Sequence, residues 1–202
     1  MGRTAFANHD DTRREDHFVY LHGITWAEYE QILSMRGDHS APRITYLEGT
    51  VEIMSPSQDH ESIKSIIGRL VEVWCLDKEI EFSPYGSWTL KQKKKKRGAE
   101  PDECYVFGSA KRTDAPDLAI EVEWTSGRID KLEVYRKLGV REVWYWRKGR
   151  IDPFHLHGDR YRAATKSKVL PGIDLVEIAS HLETTPASAA IRAYKKSLQK
   201  KR

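Results

Sequence analysis

Acidic side chains lie along two neighbouring β-type segments near the middle of the chain. Asp102 precedes the apolar run at 104–107, and Asp117, Glu121 and Glu123 alternate along the next run. Strand residues rise about 3.3 Å each and point to alternate faces, so Asp117 and Glu121 lie about 13 Å apart. That distance is too long for one ion, so Asp102 must supply the second carboxylate beside Glu121. Because Mg²⁺ prefers one or two carboxylates plus waters and phosphate oxygens, this pair predicts a Mg²⁺ (or Mn²⁺) site. The alternative is that these acids at strand ends are solvated or form salt bridges.

Basic residues are concentrated in two clusters, although the formal net charge is only +4. The second cluster lies at the C-terminal end of the chain, and both can contact the phosphates of a nucleic acid. The alternative interpretation is a solvated loop and a frayed tail. The first cluster, called the lysine cluster below, is the candidate nucleic-acid contact and contains Lys93, Lys94, Lys95, Lys96 and Arg97.

The elements that must position these residues begin with a predicted helix near 25–36. It starts at the pattern Thr25-x-x-Glu28, which is typical of a capping box. Residues 43–56 form two β-prone runs around Gly49, which predicts a β-hairpin because glycine accepts the positive φ of a tight turn. Ser57 can then cap a long helix extending to about residue 76, whose apolar residues recur with a period near 3.6.

Strand patterns dominate the chain from residue 79 onward. The β-type runs at 79–90, 104–108 and 117–124 predict central strands, and further strands are expected within 141–164. Residues 128–139 carry apolar residues at helical spacing and end in a glycine, so a strand, helix, strand order predicts a βαβ crossover. Residues 168–182 are expected to be mostly irregular, and 185–200 to form a basic terminal helix.

Length and composition favour one globular domain. A disordered or loose N-terminus is expected over 1–17, followed by the domain at 18–183 and a basic helix or tail at 184–202. No apolar run approaches the roughly 20 residues that cross a bilayer, and the N-terminus lacks the apolar core of a secretory signal. We therefore expect a cytoplasmic protein that does not contact a membrane.

Several other function classes find no support in the sequence. There is no P-loop glycine pattern, no G-x-S-x-G elbow and no zinc-spaced set of cysteine and histidine residues. Trp144 and Trp146 could form a stacking platform for bases, but their position on one face of a buried strand favours core packing. Cys75 and Cys104 are expected to be buried free thiols.

Three segments together resemble the Uma-type family of restriction endonucleases, within the PD-(D/E)XK, restriction-endonuclease-like superfamily. They are YLEGTVEIMSPSQDHESI at 46–63, PDECYVF at 101–107 and APDLAIEVEWTSGRIDKLEVYRKLGVREVWYW at 115–146. The resemblance extends over roughly residues 25–180, with the segments in the family's order. It implies a mixed α/β fold with a restriction-endonuclease-like core, in which helices flank a mixed central sheet, plus an N-terminal helix and a β-hairpin.

The resemblance also implies a Mg²⁺-dependent endodeoxyribonuclease that hydrolyses the phosphodiester bonds of DNA. Asp102 and Glu121 would hold the metal, and Lys131 would orient water or offset charge on the phosphoryl oxygens. Lys131 takes the role of the superfamily's motif lysine, because Glu123 stands in the usual place of that lysine. His60, at the start of the long helix, is a further catalytic candidate as an extra ligand or a phosphate contact, and a packing histidine is the alternative.

A homodimer is a further expectation of the resemblance, because nuclease-fold proteins often pair subunits to cut both strands. No organic cofactor is expected. The alternative function is a catalytically inactive nuclease-fold protein that binds nucleic acid or acts as an assembly module. That alternative is motivated by Glu123 at the usual lysine position and by the lysine cluster.

Overall fold

A computed structural model describes residues 15–109, 114–124 and 127–201, and these residues form eleven strands and five α-helices. The helices are α1 (Trp26–Arg36), α2 (Gln58–Asp77), α3 (Lys131–Leu138), α4 (Leu175–Ser180) and α5 (Ala187–Lys200). The strands are β1 (His17–His22), β2 (Arg43–Leu47), β3 (Thr50–Ser55), β4 (Phe82–Pro84), β5 (Leu90–Gln92), β6 (Arg97–Ala99), β7 (Glu103–Phe107), β8 (Leu118–Val122), β9 (Glu142–Arg147), β10 (Arg150–His157) and β11 (Arg160–Ala163).

The first sheet has the strand order β1-β3-β2-β6-β5, and all of its neighbouring strands are antiparallel. The predicted hairpin is confirmed as β2 and β3, whose turn places Gly49 at a φ of 97°. The predicted first helix is also confirmed, because Thr25 and Glu28 form both hydrogen bonds of a capping box at the start of α1. Tyr29 of α1 stacks on Tyr46 of β2, which fixes the helix on this sheet.

The second sheet has the strand order β11-β10-β9-β8-β7-β4 and forms the centre of the molecule. Only β8 and β9 among these described strands are parallel, and α3 connects them as the predicted βαβ crossover. The remaining pairs are antiparallel, so the sheet is mixed. The expected mixed α/β class with helices flanking a mixed central sheet is confirmed.

Helices cover both faces of this central sheet, because its strands are apolar on both sides. Leu118 and Ile120 belong to the core that includes α2, α4 and α5, whereas Ala119 packs in a second cluster with α3, β5 and β6. Glu121 follows Ala119 by two residues and therefore lies on the α3 face. The alternation of side chains along β8 thus places the Glu121 carboxylate on the face that α3 covers.

Some segments differ from their predictions. Residues 168–182, expected to be mostly irregular, contain the short helix α4, which begins where Asp174 accepts hydrogen bonds from two backbone N–H groups. The last residue of the lysine cluster, Arg97, begins a short strand, β6, which the sequence pattern does not indicate. Residues 1–14 of the expected loose N-terminus lie outside the described residues, whereas Asp16 is buried and β1 begins at His17.

The remaining expectations concern the C-terminus, membranes and cysteines. A basic terminal helix is present as α5, and Tyr194 on its inner face is fully buried. In the described ranges, no helix has the length and apolar character needed to cross a membrane. Cys75 and Cys104 are buried and free, as predicted, and burial raises the pKa of each thiol to about 12.

Ser57 provides a test of how α2 is held in place. Its side chain accepts a hydrogen bond of 3.1 Å from the His60 backbone N–H, so we expect Ser57→Ala to lower the free energy of unfolding by about 1 kcal/mol. Urea denaturation measures this change. Ser62→Ala, at an exposed position inside the same helix, is the matched control and should leave stability within about 0.5 kcal/mol of wild type. Equal losses in both variants would contradict the capping role.

Candidate functional site

The two predicted carboxylates lie side by side where β7 begins against β8. Glu103 pairs with Ile120 in antiparallel register, so Asp102 stands opposite Glu121. The Val122 backbone N–H donates a 2.6 Å hydrogen bond to Asp102 Oδ2, which holds the Asp102 side chain against β8. Asp102 and Glu121 are 1% and 2% exposed, respectively. The structure therefore brings together two buried acids from neighbouring segments.

Two cationic side chains compensate the Asp102 carboxylate. Arg43 Nε of β2 lies 3.0 Å from Oδ1, and His60 Nε2 of α2 lies 3.0 Å from Oδ2. Burial acts to raise the pKa of Asp102, but Arg43, His60 and Lys131 outweigh it and hold the pKa below its usual value. Asp102 is therefore ionised at neutral pH.

His60 connects Asp102 to a second buried acid. Its Nδ1 lies 3.0 Å from Asp16 Oδ2, and Asp16 Oδ1 accepts a 2.8 Å hydrogen bond from the Ser57 backbone N–H. Burial disfavours a charged imidazole, yet Asp102 and Asp16 raise the pKa of His60 to about 9. A protonated ring donates from both nitrogens and keeps no lone pair for a metal. These contacts favour a role for His60 in positioning Asp102.

The Glu121 carboxylate is held by two residues of α3. Lys131 Nζ donates to Oε2 at 2.7 Å, and the Tyr135 hydroxyl donates to Oε1. Asp130 caps α3 by accepting hydrogen bonds from two backbone N–H groups, which fixes the helix start that carries Lys131. Burial and the neighbouring charge of Asp102 raise the pKa of Glu121, and Lys131 opposes them. The predicted lysine thus lies beside the predicted acid.

Glu52 is a buried acid at the same site to which the sequence pattern gives little weight. It is 1% exposed and, with Glu121 and Lys131, lines a small cavity of about 50 Å³. Its carboxylate accepts hydrogen bonds of 3.0 Å from the Arg128 backbone N–H and 3.3 Å from that of Ile129. Glu52 therefore anchors the segment that leads into α3.

Glu123, which occupies the usual lysine position of the superfamily motif, lies at the edge of this cavity. Its Oε2 accepts a 2.7 Å hydrogen bond from Arg147 Nη2 of β9. The ammonium group beside Glu121 comes instead from Lys131, at the start of α3. Although the lysine comes from α3 and not from position 123, the Glu121 carboxylate still has an ammonium group at hydrogen-bonding distance.

The lysine cluster lies apart from these acids. Lys93, Lys94 and Lys95 form a 3-10 turn between β5 and β6, and Lys95 Nζ donates a 2.7 Å hydrogen bond to the Lys137 carbonyl. Lys137 is six residues beyond Lys131 in α3, a rise of about 9 Å. Lys96 follows the turn in a left-handed conformation and is exposed.

The sequence predicts that Arg97 contacts nucleic acid at the surface, but the structure places its side chain in the interior. Its side chain is buried, and its guanidinium lies 2.9 Å from Glu48 and 3.5 Å from Glu133. These two ion pairs join β6 to the hairpin turn and to α3. Arg97 is therefore engaged inside the protein, whereas the neighbouring lysines remain open to solvent.

The donor set of the site fits a hard divalent cation that keeps most of its waters. In the part of the chain that the structure describes, no three histidine, cysteine or acidic side chains form a group that could hold a metal ion. Mg²⁺ is commonly bound by one or two carboxylates. Arg43 Nε lies 3.0 Å from Asp102 Oδ1 without a hydrogen bond of good geometry, so a lone pair of this buried oxygen could still bind a cation.

Sequence reasoning assigns no role to Asp16, Arg43 and Tyr135, which complete the site. Arg43 lies in the hairpin strand β2 and is 3% exposed, and a charged residue amid apolar strand residues is the signal that could have indicated it. Asp16 lies in a polar segment without periodicity, so no local signal marks it. Tyr135 is one of several apolar positions of α3, and only the structure shows that its hydroxyl faces Glu121.

The chain is similar to known proteins in two comparisons. Residues 26–184 match the model of the Uma2 family, whose description is "Putative restriction endonuclease". A crystal structure described as "a putative nuclease belonging to DUF820 from Anabaena variabilis ATCC 29413" is 16% identical, covers 87% of this chain and 99% of its own, and has a TM-score of 0.45. No match was found among the curated proteins compared with the chain.

The protonated state of His60 gives a pH dependence that can be measured. The folded pKa of about 9 exceeds the ordinary value of 6.5, so the stability that His60 contributes is fully present below pH 6.5 and is lost as pH rises through 9. Urea denaturation in EDTA should show wild type losing on the order of 3 kcal/mol relative to His60→Gln between these limits. A stability difference that does not change with pH would contradict the protonated state.

Proposed function

Because the chain belongs to the Uma2 family of "putative restriction endonucleases", we propose that it is a nuclease that hydrolyses the phosphodiester bonds of DNA with Mg²⁺ or Mn²⁺. The observation that carries this proposal is the placement of two buried carboxylates side by side with an ammonium group 2.7 Å from one of them. Acids and a cation in this arrangement match the charge pattern that a metal ion and a phosphate require.

Asp102 and Glu121 are the residues that would hold the metal, and its waters and a phosphate oxygen of the substrate would complete the ligand set. When bound, a divalent ion polarises the phosphate and lowers the pKa of a bound water. Hydrolysis adds water across one P–O bond, so no nucleophile of the protein is required.

Lys131 is proposed to stabilise charge on the phosphoryl oxygens or to orient the attacking water. Glu121 and Asp102 raise the pKa of Lys131 against the effect of burial, so the ammonium form persists at neutral pH. A fixed cation beside a developing negative charge stabilises a transition state without reorganisation. Tyr135 keeps Glu121 in place, because its raised pKa leaves the hydroxyl a hydrogen-bond donor.

Arg43 and His60 are proposed to position Asp102 rather than to contact substrate. Each lies 3.0 Å from one of its oxygens, and both are buried. With Arg43 beside one oxygen and His60 beside the other, the Asp102 carboxylate has little freedom to rotate. This restriction keeps it next to Glu121. Arg43 is itself oriented by Glu61, at 2.8 Å.

A second candidate function is a catalytically inactive protein that binds nucleic acid. Glu123 in place of the motif lysine and the exposed lysines of the lysine cluster favour it. Such a protein would bind DNA with an affinity that falls steeply with salt, and would not cut it with any metal. The cleavage experiment below therefore separates the two functions.

Cleavage of plasmid DNA in the presence of Mg²⁺ or Mn²⁺ tests the proposed reaction. We expect Asp102→Asn, Glu121→Gln and Lys131→Met each to lower the rate by about 100-fold or more, because each removes a charge from the proposed site. The matched control is Asp159→Asn, an exposed acid in the turn between β10 and β11, which should cut like wild type. Full activity in Asp102→Asn would overturn the site assignment, and circular dichroism checks that each variant folds.

Metal binding can be tested without activity. At a Mn²⁺ concentration about 100 times its Kd, wild type should gain about 2.7 kcal/mol of stability, because the ion binds only the folded state. Asp102→Asn and Glu121→Gln should lose most of this gain, whereas Asp159→Asn should keep it. Comparing each variant with and without metal removes the effect of the substitution on stability itself. Equal gains in all four proteins would place the ion elsewhere.

A further inference from the structure

An open, mostly apolar groove of about 460 Å³ lies beside the N-terminal half of α2, at the end of β8. Its floor and walls come from the N-terminal half of α2, from the ends of β8 and β9, and from the segment before α5. The apolar side chains that line it include Ile63, Ile66, Trp124, Trp146 and Leu182. None of these residues belongs to the site proposed above.

Trp124 is the most unusual side chain of this groove, because 42% of its surface is exposed. One face of its ring rests on Trp146, with the ring centroids 5.4 Å apart and the planes 6° from parallel. Trp146 is only 4% exposed and supports the outer indole from below. A large exposed ring held parallel to a buried one presents a flat surface on which another ring can stack.

The groove lies on the α2 face of the central sheet, whereas Glu121 lies on the α3 face, and the two meet around the end of β8. Glu123 lines both the small cavity beside Glu121 and the groove. The ladder between β8 and β9 continues to this point, since the Glu123 backbone N–H donates a 2.9 Å hydrogen bond to the Trp146 carbonyl. Trp124 therefore lies about 10 Å beyond Glu121 along the strand direction. A nucleic-acid strand that reaches both places would pass around the end of β8, where Glu123 lines both.

The polar groups of the groove suit an uncharged ring better than a phosphate. Asp59 and Glu183 contribute carboxylates to the lining, against the single ammonium group of Lys148 among the residues described there, and Glu123 is paired with Arg147. Carboxylates repel phosphate but accept hydrogen bonds from the amino groups of bases.

We propose that this groove binds a nucleobase turned out of the nucleic-acid strand next to the cleaved phosphodiester, stacked on Trp124. Bases with an exocyclic amino group are preferred, because carboxylates line the rim. This inference rests on the proposed nuclease function for its substrate class, and adds a base-binding site to it. Enzymes that do chemistry on a base turn it out of the stack into a pocket, and stacking of a base on an aromatic side chain contributes affinity in proteins that bind single strands.

Binding of fluorescein-labelled oligodeoxynucleotides, followed by anisotropy in EDTA, tests the base site without cleavage. Wild type should bind a deoxycytidine dodecamer more tightly than a thymidine dodecamer or a dodecamer of abasic residues. Trp124→Ala should weaken binding of the deoxycytidine dodecamer by about 10-fold or more. Trp124→Phe keeps a ring and should bind within about threefold of wild type.

The matched control is Tyr85→Ala, an aromatic residue that is 38% exposed at the end of β4, away from the groove, and it should bind like wild type. Thermal unfolding confirms that each variant is folded. If Trp124→Ala binds as tightly as wild type, or if wild type binds no oligonucleotide, the base site is overturned. A change of Trp124→Ala from dimer to monomer with unchanged binding would assign the groove to a subunit contact and also overturn it.

The two proposals fail separately in this design. Loss of binding in Trp124→Ala, combined with a wild type that cuts no DNA under any metal, would support a base-binding groove but overturn the nuclease and the placement of that base beside a cleaved bond. Cleavage by wild type, combined with unchanged binding in Trp124→Ala, would overturn the base site alone.

Discussion

The structure around β7 and β8 depends on one electrostatic constraint, the burial of two carboxylates next to each other. Removing a carboxylate from water costs several kcal/mol unless cations and hydrogen bonds compensate it, and two adjacent acids repel each other as well. Asp102 and Glu121 meet this requirement with Arg43 from β2, His60 from α2 and Lys131 from α3. Because these cations come from three elements, the first sheet, the long helix and the crossover helix must all converge on the same few ångströms of the central sheet.

This convergence explains why several caps and anchors lie close to the site. Ser57 and Asp130 begin the two helices that deliver His60 and Lys131, so each cap fixes the starting point of a helix within a few residues of a cation. Glu52 performs the same task for the backbone before α3, and a side chain at Gly127 would place its Cβ 2.5 Å from the Glu52 carboxylate. Only glycine allows the backbone to approach so closely. Local stability and site geometry are therefore set by the same contacts.

The sequence predicts the acids of the site better than their surroundings, for a physical reason. The two-residue period of a strand places Glu121 on a face, and the helical period of α3 places Lys131 and Tyr135 on one side. Pairing between distant segments has no such local signal. β6 lies between β2 and β5, and the pairing of Tyr46 with Gly98 is not visible in either segment. For that reason the sequence indicated the hairpin, the long helix and the βαβ crossover, but not Asp16, Arg43 or the short strand β6.

The departure of this chain from the motif of its superfamily becomes intelligible in three dimensions. A lysine two residues beyond Glu121 would lie on the same face of the strand, but Lys131 reaches that face from the first turn of α3, where Asp130 fixes it. Because Lys131 supplies the positive charge beside Glu121, position 123 need not carry a lysine. Glu123 forms an ion pair with Arg147 instead. Beyond Glu123 the chain continues into Trp124 and the apolar groove. The surface at the end of β8 therefore differs in chemistry from the carboxylate site.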